Sequence, residues 1–187
     1  ERVPYAAGFV QQALCADAQG KTRPLTVAAG YPAKIPGDCA ALFVAASSGY
    51  WTKTAWETKN APKTGIAGVL KSWRSEDSVK RVSRWSAALA QPLTPGLEIT
   101  PVDDPFRLGV DDKFTVRVTL AGKPRANVPV AYDGATRGAT SDDGTVVLKI
   151  RHGGLQMIAA SLETPLDDGK ADTLIRATTL NFELPAK

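Results

Sequence analysis

Phe114-Thr-Val-Arg-Val-Thr-Leu120 alternates apolar and polar side chains without a break. A turn, Ala121-Gly-Lys-Pro124, follows it, and then a second short apolar run, Val128-Pro-Val-Ala-Tyr132. Ser141-Asp-Asp-Gly144 feeds Val146-Val-Leu-Lys-Ile150, and Gly153-Gly154 leads into Leu155-Gln-Met-Ile-Ala-Ala160. Alternation with a period of two puts one face of a strand against a core and the other in water. An Asp-Gly step beside a β-branched run supplies the positive φ that a hairpin turn needs. The stretch therefore predicts an antiparallel β-sandwich, and nothing in it is a catalytic motif.

Working outward, Leu97-Glu-Ile-Thr100 predicts a strand and Leu166-Asp-Asp-Gly-Lys170 a turn. A last strand, Leu174 to Leu184, places Leu180, Phe182 and Leu184 on one face. Upstream, Phe9–Leu14, Leu25–Val27 and Ala40–Ala46 predict strands, with Asp17-Ala-Gln-Gly20 as a turn. Residues 47–70, rich in Gly, Pro, Thr and Asn, predict a loop carrying the aromatic residues Tyr50, Trp51 and Trp56. Residues 76–89 predict one short amphipathic helix, with Val79, Val82, Trp85 and Leu89 on its apolar line, Lys80, Arg81 and Arg84 off it, and Ser75 as its N-cap. Pro92 and Pro95-Gly96 end that helix. The expected fold class is mainly β. It has an N-terminal β-rich part over 1–92, with one or more further strands expected ahead of Glu1, and a C-terminal Ig-like or transthyretin-like sandwich over 96–187.

Composition bounds the function classes. The chain has 187 residues and a net charge of +4. No apolar run is long enough to span a membrane as a helix. The residues from Glu1 onward carry no signal-peptide pattern, so an exported protein would have had its signal removed. Lys71 to Arg84 is the densest basic patch, with Trp73 and Trp85 interleaved and Glu76 and Asp77 diluting it; it reads as a solvated helix face, and no nucleic-acid partner is expected. Cys15 and Cys39 stand without metal-ligand spacing, which leaves a disulfide in an oxidising compartment or two buried thiols.

Candidate chemistry is sparse. His152 is the sole histidine, sits at a strand end and is the candidate ligand for nickel or cobalt, against the alternative of a solvated, hydrogen-bonded side chain. Met157 shares a face with Leu155 and is expected in the core rather than as a ligand. Asp142-Asp143-Gly144 and Asp167-Asp168-Gly169 lack the further oxygen ligands of a calcium loop and read as hairpin turns. No Gly-x-Ser-x-Gly elbow or phosphate loop is present, and no enzyme is expected. Tyr50, Trp51 and Trp56 offer either a platform for a protein or glycan partner or a plug between the two β-rich parts.

Gly122-Lys-Pro, Val128-Pro-Val, Ser141-Asp-Asp-Gly-Thr-Val-Val-Leu148 and Gly154-Leu-Gln-Met-Ile-Ala159 together resemble the transthyretin-like or carboxypeptidase-regulatory β-sandwich. Asp17-Ala-Gln-Gly-Lys21, Gly49-Tyr-Trp-Thr-Lys-Thr54, Pro62-Lys-Thr64, Leu97-Glu-Ile-Thr-Pro101 and Asp104-Pro-Phe106 occur in order ahead of that sandwich. The whole pattern resembles a bacterial periplasmic family of unknown function that accompanies nickel and cobalt uptake systems. That resemblance implies export to the periplasm, a divalent nickel or cobalt ion as ligand, and a membrane metal-transport component or another periplasmic or outer-membrane protein as partner. The resemblance also implies a metal ligand in a His-containing first strand, with which members usually begin, and this chain has no such segment.

A disulfide between Cys15 and Cys39 would contribute about 3–4 kcal/mol by restricting the unfolded chain. A thiol reductant should therefore lower the melting temperature, read by circular dichroism; an unchanged melt with two titratable thiols in the native protein would remove the bridge.

Overall fold

The computed structural model describes residues 8–27 and 38–185. In chain order its strands are β1 (Val10–Ala16), β2 (Thr22–Pro24), β3 (Ala41–Thr54), β4 (Thr58–Lys59), β5 (Val69–Val82), β6 (Glu98–Pro101) and β7 (Lys113–Leu120). They continue with β8 (Lys123–Pro124), β9 (Pro129–Tyr132), β10 (Ala135–Ala139), β11 (Thr145–Lys149), β12 (Gly154–Pro165) and β13 (Thr173–Leu184). The large sheet runs β10-β9-β12-β13-β5-β3-β1-β2, with β4 hydrogen-bonded to β3. The small sheet runs β11-β7-β6, with β8 on β7. The protein is mainly β, as the alternation predicts, and no helix in the described residues is long and apolar enough to cross a membrane.

The core lies between the two sheets. Phe114, Val116 and Val118 point inward from β7, and Ile158, Leu180, Phe182 and Leu184 answer them from β12 and β13. Phe114 meets Phe182 edge to face, with centroids 5.2 Å apart. The large sheet takes β1 to β5 from the N-terminal part and β9, β10, β12 and β13 from the C-terminal part. One parallel pairing, β13 on β5 from Thr173↔Trp73 to Asn181↔Arg81, joins them. Cys15 at the end of β1 is bonded to Cys39 just ahead of β3, so the disulfide is present. The turn at Ser141–Gly144 requires its glycine: Gly144 has φ of +76°, and a Cβ there would lie 2.8 Å from the Val118 carbonyl oxygen.

Several local expectations are corrected. The helix over 76–89 does not form. Val69–Val82 is a strand, and only Ala87–Ala90 makes a short 3-10 turn. The apolar line at Val79, Val82 and Leu89 satisfies a helical period, but β5 has a strand on each side, and those ladders outweigh local periodicity. Ser75 is consequently a mid-strand residue. The loop over 47–70 is also shorter than expected, because β3 continues through Tyr50 and Trp51 to Thr54. Leu25–Val27 lies outside any strand, its place beside β1 being taken by Thr22–Pro24. Met157 and Leu155 do share a face, but it is the outer one, and both are about half exposed. Their neighbours Gln156 and Ile158 turn inward, opposite Phe182 and Leu180.

The largest departure concerns Lys80. In a helix it would sit in solvent, but in β5 it points inward beside Leu180 and is fully buried. Its ammonium lies 2.9 Å from Glu98 Oε1, and both side chains have 0% exposure. Lys80 also donates to the carbonyl oxygens of Leu89 and Gln91 at 3.3 and 3.4 Å. Glu98 accepts from the backbone N–H groups of Leu93 and Thr94 at 3.0 and 3.1 Å and from the Thr94 hydroxyl at 3.2 Å. Burial drives the Lys80 pKa down, and the Glu98 carboxylate opposes that shift. Removing one partner strands a buried charge, which typically costs about 3–5 kcal/mol. Lys80→Met should lower the stability measured by urea unfolding by about that amount. Adding Glu98→Gln should recover part of the loss, whereas equal loss in both variants would mean that the charge is not what the pair neutralises.

Candidate functional site

The sandwich places His152 at the mouth of a tight hairpin. β9 and β10 are joined by Asp133-Gly134, both at positive φ, with Tyr132 paired to Ala135 across the turn. This is the two-residue Asp-Gly loop that antiparallel strands favour. It projects the Asp133 carboxylate toward the segment that enters β12, where Asp133 Oδ2 lies 3.0 Å from His152 Nε2.

A buried polar network fixes that segment. Gln156, fully buried, donates from Nε2 to the carbonyl oxygens of His152 and Gly154 at 3.0 and 2.9 Å. Its Oε1 accepts from the Tyr132 hydroxyl, which in turn accepts from the Arg151 N–H at 3.2 Å. The imidazole lies nearly parallel to the Tyr132 ring, with centroids 6.1 Å apart. His152 Nδ1 lies 2.7 Å from the Gly153 carbonyl oxygen, which can only accept, so Nδ1 carries a proton. Nε2 then faces a carboxylate oxygen, and two such acceptors need a cation between them. A proton on Nε2 supplies it, and the Gly153 carbonyl first and the Asp133 carboxylate second raise the His152 pKa above its ordinary value. The ring keeps 45% of its side-chain exposure, so the pair is open to solvent.

The match to a known family covers most of the chain. A model described as a domain of unknown function (DUF4198) matches residues 15–164. The chain belongs to the DUF4198 family. No curated protein and no solved structure matches it. Asp133, His152 and both cysteines of this DUF4198 protein fall within the matched residues, and β13 lies beyond them.

The aromatic candidates are split up by the strand that carries them. Tyr50 and Trp51, adjacent in β3, point to opposite faces of the large sheet. Tyr50 donates to Asp168 Oδ2 at 2.7 Å, and the Lys170 ammonium lies 5.7 Å from its ring. Trp51 pairs in register with Trp73 of β5, the rings 6.3 Å apart and within 11° of parallel. Trp56 stands apart on the turn beyond β3 and is 85% exposed. Asp133 is the residue that sequence reasoning missed, while Trp73, read as part of the basic patch, is instead the ring that stacks on Trp51. Asp133-Gly134 between Tyr132 and Ala135 carries the same hairpin signal as Asp143-Gly144.

The acidic turns behave as turns. Asp143 Oδ1 accepts from the Thr145 N–H and from the hydroxyls of Ser141 and Thr145, and these bonds lower its pKa to about 2. Asp168 accepts from the N–H groups of Lys170 and Ala171. Among the described residues, no three of His, Cys, Asp and Glu converge on one point.

Because His152 is the sole histidine, its ring protons can be followed individually by NMR. A raised folded pKa means that the pair stabilises the fold fully below about pH 6.5 and loses that contribution as pH rises through the folded value. The titration midpoint should lie above about 6.5 and fall in Asp133→Asn. A midpoint unmoved by that substitution would separate the two side chains in solution.

Proposed function

We propose that this protein is an exported accessory protein that captures nickel or cobalt for a membrane uptake component, with His152 and Asp133 as this chain's share of the site. One observation carries the reading. An imidazole anchored through Nδ1–H to a backbone carbonyl directs Nε2 at a carboxylate oxygen 3.0 Å away. Anchoring the second ring nitrogen in this way is the usual arrangement of a ligating histidine. Two donors each about 2.1 Å from one metal and at right angles to each other lie about 3.0 Å apart. The 3.0 Å separation of the pair thus matches the spacing of two donors to one metal, which the ring would reach by turning its Nε2 axis off the carboxylate oxygen. Imidazole with carboxylate suits the borderline ions nickel and cobalt.

The Cys15–Cys39 disulfide supports export, since such bonds persist in oxidising compartments. The family resemblance supports the choice of metal and the periplasm. Two protein donors leave most coordination positions to water and to the partner. That suits transfer, because an ion held by few ligands exchanges readily. Trp56 favours a second reading, a non-catalytic docking module. A bare indole on a turn is a ready contact for a protein or glycan partner.

Isothermal titration of nickel and cobalt chlorides into the whole chain tests the first reading. Binding should tighten as pH rises through the His152 midpoint, because the metal competes with a proton. It should vanish in His152→Ala and weaken about ten- to a hundredfold in Asp133→Asn. Heats that persist in His152→Ala, or no heat at all, would leave the docking module as the better account.

A further inference from the structure

The outer face of the large sheet is apolar where water should select polar side chains. An antiparallel sheet with one solvated face alternates apolar with polar residues. β3 does not, because Ala41-Leu-Phe-Val-Ala-Ala46 is apolar at every position and hence on both faces. In β12, Leu155 and Met157 point outward and are about half exposed, while Ile158 and Ala160 point inward. The small sheet covers the inner face, and among the described residues no further layer of strands lies over the outer one.

The strand register sets the outward side chains in rows across the sheet. Ala131 of β9, Ala159 of β12, Thr179 of β13, Val79 of β5 and Val44 of β3 make the central row. All are uncharged, small and partly exposed. Side chains of this size let a second sheet approach to the spacing of about 10 Å at which sheets stack. On β5, Asp77 and Arg81 flank Val79, each one position away from it along the outer face. The Asp77 carboxylate accepts from the Ser75 hydroxyl at 3.0 Å and meets no cation among the described residues. Arg81 pairs with Glu183 at 3.2 Å and keeps 46% of its side-chain exposure.

This arrangement is self-complementary. Rotating a second copy of the chain about an axis along the central row lays each residue of that row over its own counterpart. The same rotation sets Asp77 of each copy over Arg81 of the other. Glu163 and Glu183 fall opposite Leu155 and Ile175, so no like charges meet. Five strands from β9 to β3, over nine residues of β12, present on the order of 600 Å² per copy. Two such faces bury about 1,200 Å², which is the size of a specific interface. We propose that the protein is a two-fold dimer joined through the outer faces of its large sheets. Val79 lies on the axis, and Asp77 pairs with Arg81 of the second copy on either side of it.

Sedimentation velocity on the whole chain at micromolar concentration tests the assignment. The parent chain should sediment with twice the chain mass. Asp77→Arg and Arg81→Asp each set like charges against each other across the axis. Either variant alone should sediment as a monomer while keeping a cooperative melt by circular dichroism. Mixed in equal amounts, the two variants should sediment as a dimer again, because their altered surfaces complement each other. That restoration is out of reach of a variant that has merely failed to fold. Val79→Glu places two carboxylates on the axis and should also abolish the dimer. A monomeric parent chain, single variants that remain dimeric, or a mixture that stays monomeric would overturn the assignment.

Discussion

The buried pair of Lys80 and Glu98 is the constraint on which the rest of the structure depends. Lys80 belongs to the large sheet and Glu98 to the small one, and both charges are wholly out of water. Burying them is costly unless each remaining donor and acceptor finds a partner. The segment between them supplies those partners: carbonyl oxygens of Leu89 and Gln91 for the ammonium, N–H groups of Leu93 and Thr94 for the carboxylate. A stretch with hardly any regular structure is thereby held in one conformation. The same stretch continues into Thr94–Leu97, which lines a cleft of about 250 Å³ beside β5. An apolar pair would join the sheets equally well but would leave those backbone groups without directed partners.

The C-terminal half was legible because its strands obey simple rules. Phe114 to Leu120 alternates, and the structure buries Phe114, Val116 and Val118 as that alternation requires. The N-terminal half was harder because its strands lie in the middle of a sheet whose other members come from far along the chain. Nothing local to Val69–Val82 announces that β13 will pair with it, and two lysines, two arginines, a glutamate and an aspartate argue against a strand there. Their roles are tertiary: Lys80 meets Glu98, Arg74 and Arg176 flank Glu76, and Arg81 pairs with Glu183.

The candidate site was half legible. His152 stood out as the single histidine, and its position at a strand end is as expected. Its partner did not, because Asp133 is one of many aspartates and its meaning lies in a hairpin that brings it 19 residues back along the chain. Gln156 was equally silent, since a glutamine on a strand reads as solvent-facing until its neighbours show that it closes a network. The aromatic trio shows the limit of sequence proximity. Either a platform or a plug would put the three rings together, and the period of two sends Tyr50 and Trp51 to opposite faces of β3.

The position of β13 governs the order in which this molecule can be built. The strand occupies Thr173–Leu184, after every other described strand in chain order, yet it sits in the interior of the large sheet between β12 and β5. Until it arrives, β1 to β5 form one ribbon and β9, β10 and β12 another, with no strand ladder between them among the described residues. The decisive pairings are separated by about a hundred residues, and contacts of such range make folding slow. A growing chain of this design keeps its large sheet in two separate pieces, each with a raw inner edge, until β13 slots between them.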